Sequence, residues 1–450
     1  MKPYLMHVCT AVAFCGILSV ALAAPSVIMG TETGELLRCK FKNASDCKTV
    51  NQQTSGVSAL TVEGEFVYIG LESGLLRRCR ITKLENCTTF HDFTTQIYDL
   101  AISGMFVYAA IDGGITRCGL RKSDDCSSFY ESETPIYSLA IHSDKLYAGS
   151  STTTIQCPLL GTDNCTVYFS TTSAVNAMSA FSEHLYIGLE EGGVQQCQLN
   201  NGTECSKLLE SETPVKALDI FDNQIHISLD KGEMLHYDLT KNESCTVSKN
   251  MSVVSSMFTI FSSTGVKVHY RGESKDCVWQ WISCPPYVVY YDIEARSPLE
   301  LHVKNGKLYT SKGDLFDTDQ ADFSHSGQKA IFVMDPSGRI YASNQHPILL
   351  LHHSSLMAGN PVAAAGELKV DEGVIRSVSS CSGHYRPTLA LTKQIITSLR
   401  RQGYNKDVNI QNCFGLDLYI DLDYKKTDLY YKAQYEKYSR KMKSLNKTIV

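Results

Sequence analysis

The chain has 450 residues, 43% of them hydrophobic, with 42 Lys+Arg against 47 Asp+Glu for a net charge of -5. That apolar fraction supplies a full core and excludes wholesale disorder. The near-neutral balance excludes a nucleic-acid binder, which needs a basic excess against phosphates. The length predicts two to three domains at ~150 residues each.

Lys2, the apolar run Leu5 to Leu22 and the small-x-small triplet Ala21-Leu22-Ala23 predict a secretory signal peptide over residues 1–23. The alternative, an N-terminal membrane anchor, fits a run this short less well. No later stretch reaches ~18 uninterrupted apolar residues, so no transmembrane segment is expected in the mature chain. Of the 17 cysteines, Cys9 and Cys15 lie in this leader. The remaining density suits an oxidising compartment. N-glycosylation sequons begin at Asn43, Asn86, Asn164, Asn201, Asn242, Asn250 and Asn446. Together these features predict a secreted, extracellular glycoprotein.

From Cys39 onward the cysteines fall in pairs: Cys39/Cys47, Cys79/Cys87, Cys118/Cys126, Cys157/Cys165 and Cys197/Cys205. The next pair falls at Tyr237 and Cys245, with tyrosine in the first place, and Cys277/Cys284 follow. The text between them recurs as well, as in Phe66-Val67-Tyr68-Ile69-Gly70 and Leu185-Tyr186-Ile187-Gly188. Short apolar and β-branched runs broken by Gly, Asp and Asn read as strands. Four strands in ~40 residues make a propeller blade.

Residues 24–290 are therefore expected to form a seven-bladed β-propeller with one disulfide hairpin per blade. The first cysteine of a pair should end the third strand of its blade, and the second should begin the fourth. Opposed residues on antiparallel strands lie within disulfide range, so each complete cysteine pair is expected to bridge, Cys277–Cys284 included. These spacings do not suit metal ligation, and neither metal nor cofactor is expected. Cleavage leaves blade one without its opening strand. A segment beyond Cys284, either Tyr287–Tyr291 or Leu299–Val303, is expected to fill the gap. Glycans would crowd the rim bearing the third-to-fourth strand loops and leave the other rim free. On that free rim Glu72, Asp112, Glu190, Glu191 and Asp230 either hold a cation or basic partner or simply make turns beside glycine.

A smaller α+β domain is expected over residues 291–415. Ala330–Met334 and Arg339–Ser343 read as a hairpin turned by Asp335-Pro336-Ser337-Gly338. Thr392–Arg401 reads as a helix stopped by Gly403. The blocks His352-His353-Ser354-Ser355, Ala364-Ala365-Gly366-Glu367-Leu368 and Ser382-Gly383-His384-Tyr385-Arg386-Pro387 follow that hairpin in order. This order resembles the C-terminal domain of the plant IQ-motif calmodulin-binding protein family over roughly residues 285–413. The chain departs from that family in carrying no IQ motif. With export also predicted, calmodulin is not expected as a partner.

Catalytic candidates in this domain are His353, Ser354, Glu367, His384 and Tyr385. Ser354 or Ser355 with His384 and Glu367 makes a hydrolase triad on paper, but no G-x-S-x-G elbow accompanies it. His, Tyr, Ser and Glu also suit an ADP-ribosyl-transfer pocket, and the plain alternative is a tight turn over a hydrogen-bonded histidine. Cys381 and Cys413 are expected to pair with each other, or one of them with Cys245. A tail over 416–450, with Lys425, Lys426, Lys432, Lys437, Arg440, Lys441, Lys443 and Lys447 among tyrosines, reads either as a basic helix for anionic surfaces or as a solvated helix.

The expected function is that of an extracellular binding or matrix-recognition protein, with the propeller as platform and an extracellular protein or glycan as partner. The alternative is a secreted enzyme or toxin-like effector with a catalytic C-terminal domain.

Overall fold

Second strands such as Phe66–Leu71, His184–Leu189 and Gln224–Leu229 are buried on both faces, whereas the outer strand Lys83–Asp92 is largely exposed. Strands buried on both sides require sheets stacked face to face. In the computed structural model, which describes residues 25–41, 43–159, 164–199, 205–221, 223–241, 243–248, 252–267, 288–321, 323–324, 327–345 and 351–413, those sheets are the blades of a propeller.

There are six blades of four antiparallel strands, not seven. Blades two to six begin with the inner strands Val57–Glu63, Ile97–Ser103, Ser138–His142, Val175–Phe181 and Val215–Phe221. Blade one takes its inner strand from Val254–Ile260, which pairs antiparallel with Ser26–Thr31 and closes the ring. Among the described residues, the seventh repeat thus supplies the strand that the first repeat lacks. Counting repeats counted this blade twice. The gap is filled from before Cys277 rather than beyond Cys284; Leu299–Val303 contributes instead to the C-terminal sheet, and Cys277, Cys284 and Tyr287 lie outside the described residues.

The five other cysteine pairs bridge their hairpins. Cys39–Cys47, Cys79–Cys87, Cys118–Cys126, Cys157–Cys165 and Cys197–Cys205 have Cα atoms 4.0 to 4.3 Å apart. One bridge per blade is corrected to one in each of blades one to five, because blade six carries Tyr237 in the first place. The two ends of a bridge differ in burial. Each first cysteine is buried on its third strand, whereas Cys47, Cys87, Cys126 and Cys165 are half-buried and Cys205 is exposed. The fourth strand is the outermost of its blade, with a neighbour on one side only, so its sulfur stays partly in water. The expected strand starts also need correction. Cys126 and Cys205 do begin their fourth strands, but Cys47 and Cys87 sit inside Asn43–Gln52 and Lys83–Asp92, and Cys165 lies just before Thr166–Ser170. In blades one and two the ladder runs on past the bridge, to Lys40↔Asn43 and Arg80↔Lys83, which lengthens the outer strand toward the turn.

A loop of eight residues cross-linked in the unfolded chain stabilises by about 2.5 kcal/mol in the chain-entropy account. Replacing Cys118 and Cys126 together by serine should lower unfolding stability by about that amount in urea titrations. An unchanged midpoint would show that the staple adds nothing beyond the strands.

Blades interlock through the recurring glycine. A Cβ on Gly188 would lie 2.4 Å from Val215 Cγ1 of the next blade, and one on Gly70 would lie 2.7 Å from Ile97 Cγ2. Each β-branched side chain therefore fits a socket that only glycine leaves open. Gly188→Ala should destabilise by about 1–3 kcal/mol, the usual range for overpacking a core, measured by the same titration. Hydrogen bonds about one repeat long add to the interlock: Ser138 Oγ donates to Val175 O at 2.8 Å, and Leu139 N donates to the Asp99 carboxylate at 2.7 Å.

The C-terminal domain is a curled seven-stranded sheet in the order Lys307–Thr310, Glu300–Lys304, Ile340–Ser343, Ala330–Met334, Ala364–Asp371, Val374–Ser379, Ile410–Gln411. Only its last pair is parallel. The expected hairpin at Asp335–Gly338 is present: the buried Asp335 carboxylate accepts from the backbone N–H groups of Ser337, Gly338 and Arg339 at 2.9 to 3.0 Å. Short helices α1 (Ile293–Arg296) and α2 (His353–Leu356) precede the longer α3 (Leu389–Arg401). Helix α3 is capped by Thr388 and followed by Gly403 at φ 92°. Cys381 and Cys413 bridge with Cα atoms 5.2 Å apart. No helix among the described residues is long and apolar enough to cross a membrane.

The sheet and the ring share one core, in which Phe41, Phe221, Met257 and Phe261 meet Val303, Phe332, Met334 and Leu399.

Candidate functional site

The propeller has two ends, and the C-terminal domain occupies one of them. The turns between first and second strands meet it in sequence around the ring. Arg339 Nη1 donates to Gly104 O at 3.2 Å, Ser143 Oγ to Val303 O at 2.9 Å, and Ser182 N to Arg400 O at 3.0 Å. Lys304 pairs with Asp144 at 2.8 Å. Arg121, in a third-to-fourth strand loop of the same end, pairs with Asp292 at 2.7 Å and with Glu294. Helix α3 delivers Arg401 onto Ile220 O and Asp219, its guanidinium 5.3 Å from the Phe221 ring centroid.

Over the axis sits a buried charge cluster. Glu63 meets Arg296 at 3.3 Å and Arg339 at 3.7 Å, and Arg339 also faces Glu300 at 3.7 Å. Burial raises the Glu63 carboxyl despite the two guanidinium groups beside it. These residues escaped the sequence reading. A signal was available, since Asp219 stands where inner strands two, three and four of the ring carry Thr61, Ala101 and Ala140.

Beneath the cap, the inner strands enclose a central cavity of about 350 Å³ lined by Leu60, Leu100, Met178 and Leu218 with Asp99 and Arg339. Burial without a cationic partner pushes the Asp99 carboxyl up to about 7, although the N–H groups of Leu100 and Leu139 hold it back.

The opposite rim is uncovered among the described residues, and it is acidic. Glu32, Glu72, Asp112, Glu190, Glu191 and Asp230 are exposed in the second-to-third strand turns. Glu133, Glu210 and Glu212 are exposed in the connections between blades. Several are held by residues at the channel mouth: Tyr98 Oη donates to Asp112 at 2.9 Å, Asn176 Nδ2 to Glu190 at 2.5 Å, and Lys216 pairs with Asp230 at 3.0 Å. Of the sequons, Asn86 and Asn164 are exposed on blades two and four, Asn43 is described only in its backbone, and Asn201, Asn242, Asn250 and Asn446 lie outside the described residues. The 416–450 tail lies outside them too.

The catalytic candidates gather, but in the interior of the C-terminal domain. His353, Ser354, Glu367, His384 and Tyr385 are all buried. His353 Nε2 lies 2.8 Å from Gly366 O, the His352 and His384 rings are 4.9 Å apart between centroids, and Tyr385 Oη donates to Asn360 O at 2.8 Å. A Cβ on Gly366 would lie 1.7 Å from Ser379 O, so only glycine fits there. The sequence blocks therefore hold one another: the HHSS block clasps the AAGEL strand and the GHY turn, and Tyr385 packs with Leu356 and Val362 in one apolar cluster. Among possible metal ligands, Asp317, Asp319 and Asp371 lie within 4.8 Å of one another. Asp319 is engaged by Lys369 and Asp371 by Arg376.

A closed ring stapled at its hairpins and capped by a curled sheet defines the architectural class: a β-propeller joined to a second, compact domain. That second domain carries the resemblance read from its motifs, because residues 295–391 match the IQ motif-containing protein middle domain. IQ domain-containing protein IQM3 of Arabidopsis thaliana is 40% identical over 81 residues, 18% of this chain and 18% of that protein. IQM2 of the same plant is 37% identical over 94 residues, 21% of this chain and 15% of that protein. The chain thus spans less than a fifth of the length of these relatives. The crystal structure of the computationally designed Ika8 protein aligns at TM-score 0.37 and 15% identity, covering 54% of this chain and 76% of that one. The six blades rest on the strand pairing and not on that likeness. One expectation is corrected here. Calmodulin was set aside as a partner, and the kinship with IQ domain-containing proteins, a calmodulin-binding family, overturns that exclusion.

Proposed function

We propose that the chain is an exported glycoprotein that binds a basic protein surface through the uncovered acidic rim of its propeller. The observation that carries this reading is the placement of the C-terminal domain, which occupies one end of the ring and leaves nine exposed carboxylates at the other among the described residues. An acidic surface of this extent attracts cationic partners and speeds encounter at low salt. The burial of His353, Ser354, Glu367, His384 and Tyr385, and the backbone contacts of His353 and Tyr385, favour a structural part for them over the enzyme alternative.

The test compares the wild-type chain with a rim variant carrying Glu190→Lys, Glu191→Lys and Asp230→Lys. Both are expressed in eukaryotic secretory cells and probed with histone-like lysine-rich polypeptide, heparin and calmodulin at low and physiological salt. The expected result is a glycosylated chain in the medium that binds the lysine-rich probe at least tenfold more tightly than the variant does. Retention in the cytosol without glycan overturns the export reading. Binding of any of the three probes that survives rim reversal places the partner site elsewhere.

A further inference from the structure

The six inner strands carry three carboxylates, Glu63, Asp99 and Asp219. The C-terminal domain neutralises two of them. Glu63 meets Arg296 at 3.3 Å and Arg339 at 3.7 Å, and Asp219 meets Arg401 at 3.2 Å. Asp99 is built like Asp219 in one respect: each accepts a backbone N–H from the inner strand of the next blade, Leu139 at 2.7 Å and Thr259 at 2.8 Å. Yet no charged side chain among the described residues acts on Asp99. The reason is depth. Glu63 and Asp219 lie late in Val57–Glu63 and Val215–Phe221, toward the end that the cap covers, whereas Asp99 lies early in Ile97–Ser103, toward the open mouth.

Asp99 lines the central cavity of about 350 Å³ and keeps part of its surface uncovered there. Small-molecule pockets run from roughly 300 to 1,000 Å³ and set a few polar groups in an apolar wall. Here each inner strand gives that wall one large apolar residue: Leu60, Leu100, Leu139, Met178, Leu218 and Met257. Every other Asp, Glu, Lys or Arg lining the cavity is paired, Asp219 with Arg401, Glu300 with Arg339 at 3.7 Å, and Lys216 with Asp230 at 3.0 Å. A molecule entering the channel therefore meets a single carboxylate without a counter-charge. Burial pushes that carboxyl up to about 7, and a cation held beside it would bring it down again.

The missing cation is not a hard metal ion. Calcium takes about six to eight oxygen ligands, and both Asp99 oxygens already accept a backbone N–H, from Leu100 and Leu139. An ammonium needs only the lone pairs that remain, and its apolar body suits the wall. Tyr98, edge-on to Tyr137 with centroids 5.5 Å apart, adds an aromatic ring at the mouth, of the kind that attracts cations. The rim carboxylates raise the local concentration of cations at that same mouth.

We propose that the central channel is a binding site for a small organic amine, its ammonium paired with Asp99 and its apolar body against the ring of leucines and methionines. The site rests on the channel wall and stands apart from the reading of the rim as a surface for a basic protein.

The test titrates the full chain calorimetrically with tryptamine, with phenethylamine and with tryptophol, the neutral isostere of tryptamine. One tryptamine should bind per chain, and tryptophol should bind at least tenfold more weakly, the loss expected for a charged hydrogen bond. Asp99→Asn keeps the shape of the side chain. It should fold, as read by circular dichroism, bind tryptamine at least tenfold more weakly, and bind the lysine-rich polypeptide as the wild type does. In the wild type, tryptamine should slow hydrogen exchange in peptides covering Ile97–Ser103 and Ser138–His142, a readout that needs no variant. A wild-type chain that binds neither amine overturns the site, whatever its rim binds. So does equal affinity for tryptamine and tryptophol, full tryptamine binding in folded Asp99→Asn, or protection confined to the rim turns. If Asp99→Asn loses the lysine-rich polypeptide as well, the ammonium in the channel belongs to a protein, and the small amine is overturned as its occupant.

Discussion

Arg339→Ala should lower unfolding stability by about 3–5 kcal/mol, the cost of leaving a buried charge without its partner. Arg339 leaves the Asp335–Gly338 turn and enters the end of the propeller, where it faces Glu63 at 3.7 Å, Glu300 at 3.7 Å and Gly104 O at 3.2 Å. Glu63 has a side chain only 2% exposed, and Arg296, itself 9% exposed, is its other cationic partner. Removing Arg339 leaves Glu63 with Arg296 alone and takes from Glu300 the guanidinium it faces, in a medium that hydrates both carboxylates poorly. Arg339→Lys should rescue little, because an ammonium cannot span three acceptors as a planar guanidinium does. Arg376→Ala is the control, since its pair with Asp371 is exposed at 57% and 43% and such pairs contribute at most about 1 kcal/mol. Urea titration of the three variants decides the matter. An Arg339→Ala chain within about 1 kcal/mol of wild type would mean that the cap is held by its apolar core alone.

Acid should weaken the chain through His142. Burial lowers this imidazole from 6.5 to about 4, and Nδ1 has no hydrogen-bond partner among the described residues. In the unfolded chain the same group takes up a proton near pH 6.5. Between pH 6.5 and 4 the unfolded state therefore binds a proton that the folded state refuses, and stability falls as pH falls through that window. A shift of this size corresponds to about 3 kcal/mol at its limit. Asp99 acts with the opposite sign. Its folded carboxyl is raised from 3.8 to about 7, so its contribution is greatest at low pH and is lost as pH rises through that range. The clean reading is a difference: the thermal midpoint of wild type, followed from pH 7 to 4, should fall relative to that of His142→Gln as pH falls. Parallel curves would remove His142 from the account. Asp99→Asn should steepen the acid limb, because it removes the opposing titration.

The ring was legible because one cysteine spacing recurs five times over, and a cross-strand disulfide demands opposed residues. The same spacing misled about number. Cys277 and Cys284, seven positions apart rather than eight, kept the beat closely enough to read as a seventh blade, and the pairing of Val254–Ile260 with Ser26–Thr31 shows that this repeat supplies the strand that completes the first. The spacing was silent on strand length too, since Cys47 and Cys165 keep the same eight-residue offset although one lies within its outer strand and the other before it. The hairpin at Asp335–Gly338 and the stop at Gly403 were legible from local turn chemistry. The cap was not. Arg339, Arg401 and Glu63 act across 182 to 235 positions of chain, and no local pattern encodes a partner that distant. His353 and His384 were noticed for their chemistry, yet what places them is a glycine carbonyl and a neighbouring ring. A list of reactive residue types cannot separate clasp from catalyst before the backbone is known.

The closing strand also sets a clock on synthesis. Ser255 reaches back to Gly30 across 225 positions. At ~5–20 residues per second on a ribosome, the first strand waits roughly 10–45 s for the strand that covers its edge. During that interval blade one exposes an unpaired ladder of backbone groups, an edge prone to pair with another chain. Blades two to six need no such wait, since each is built from consecutive hairpins. A nascent chain arrested before residue 254 should therefore carry five finished blades and one open seam, and that seam is where a chaperone or a second nascent copy would engage it.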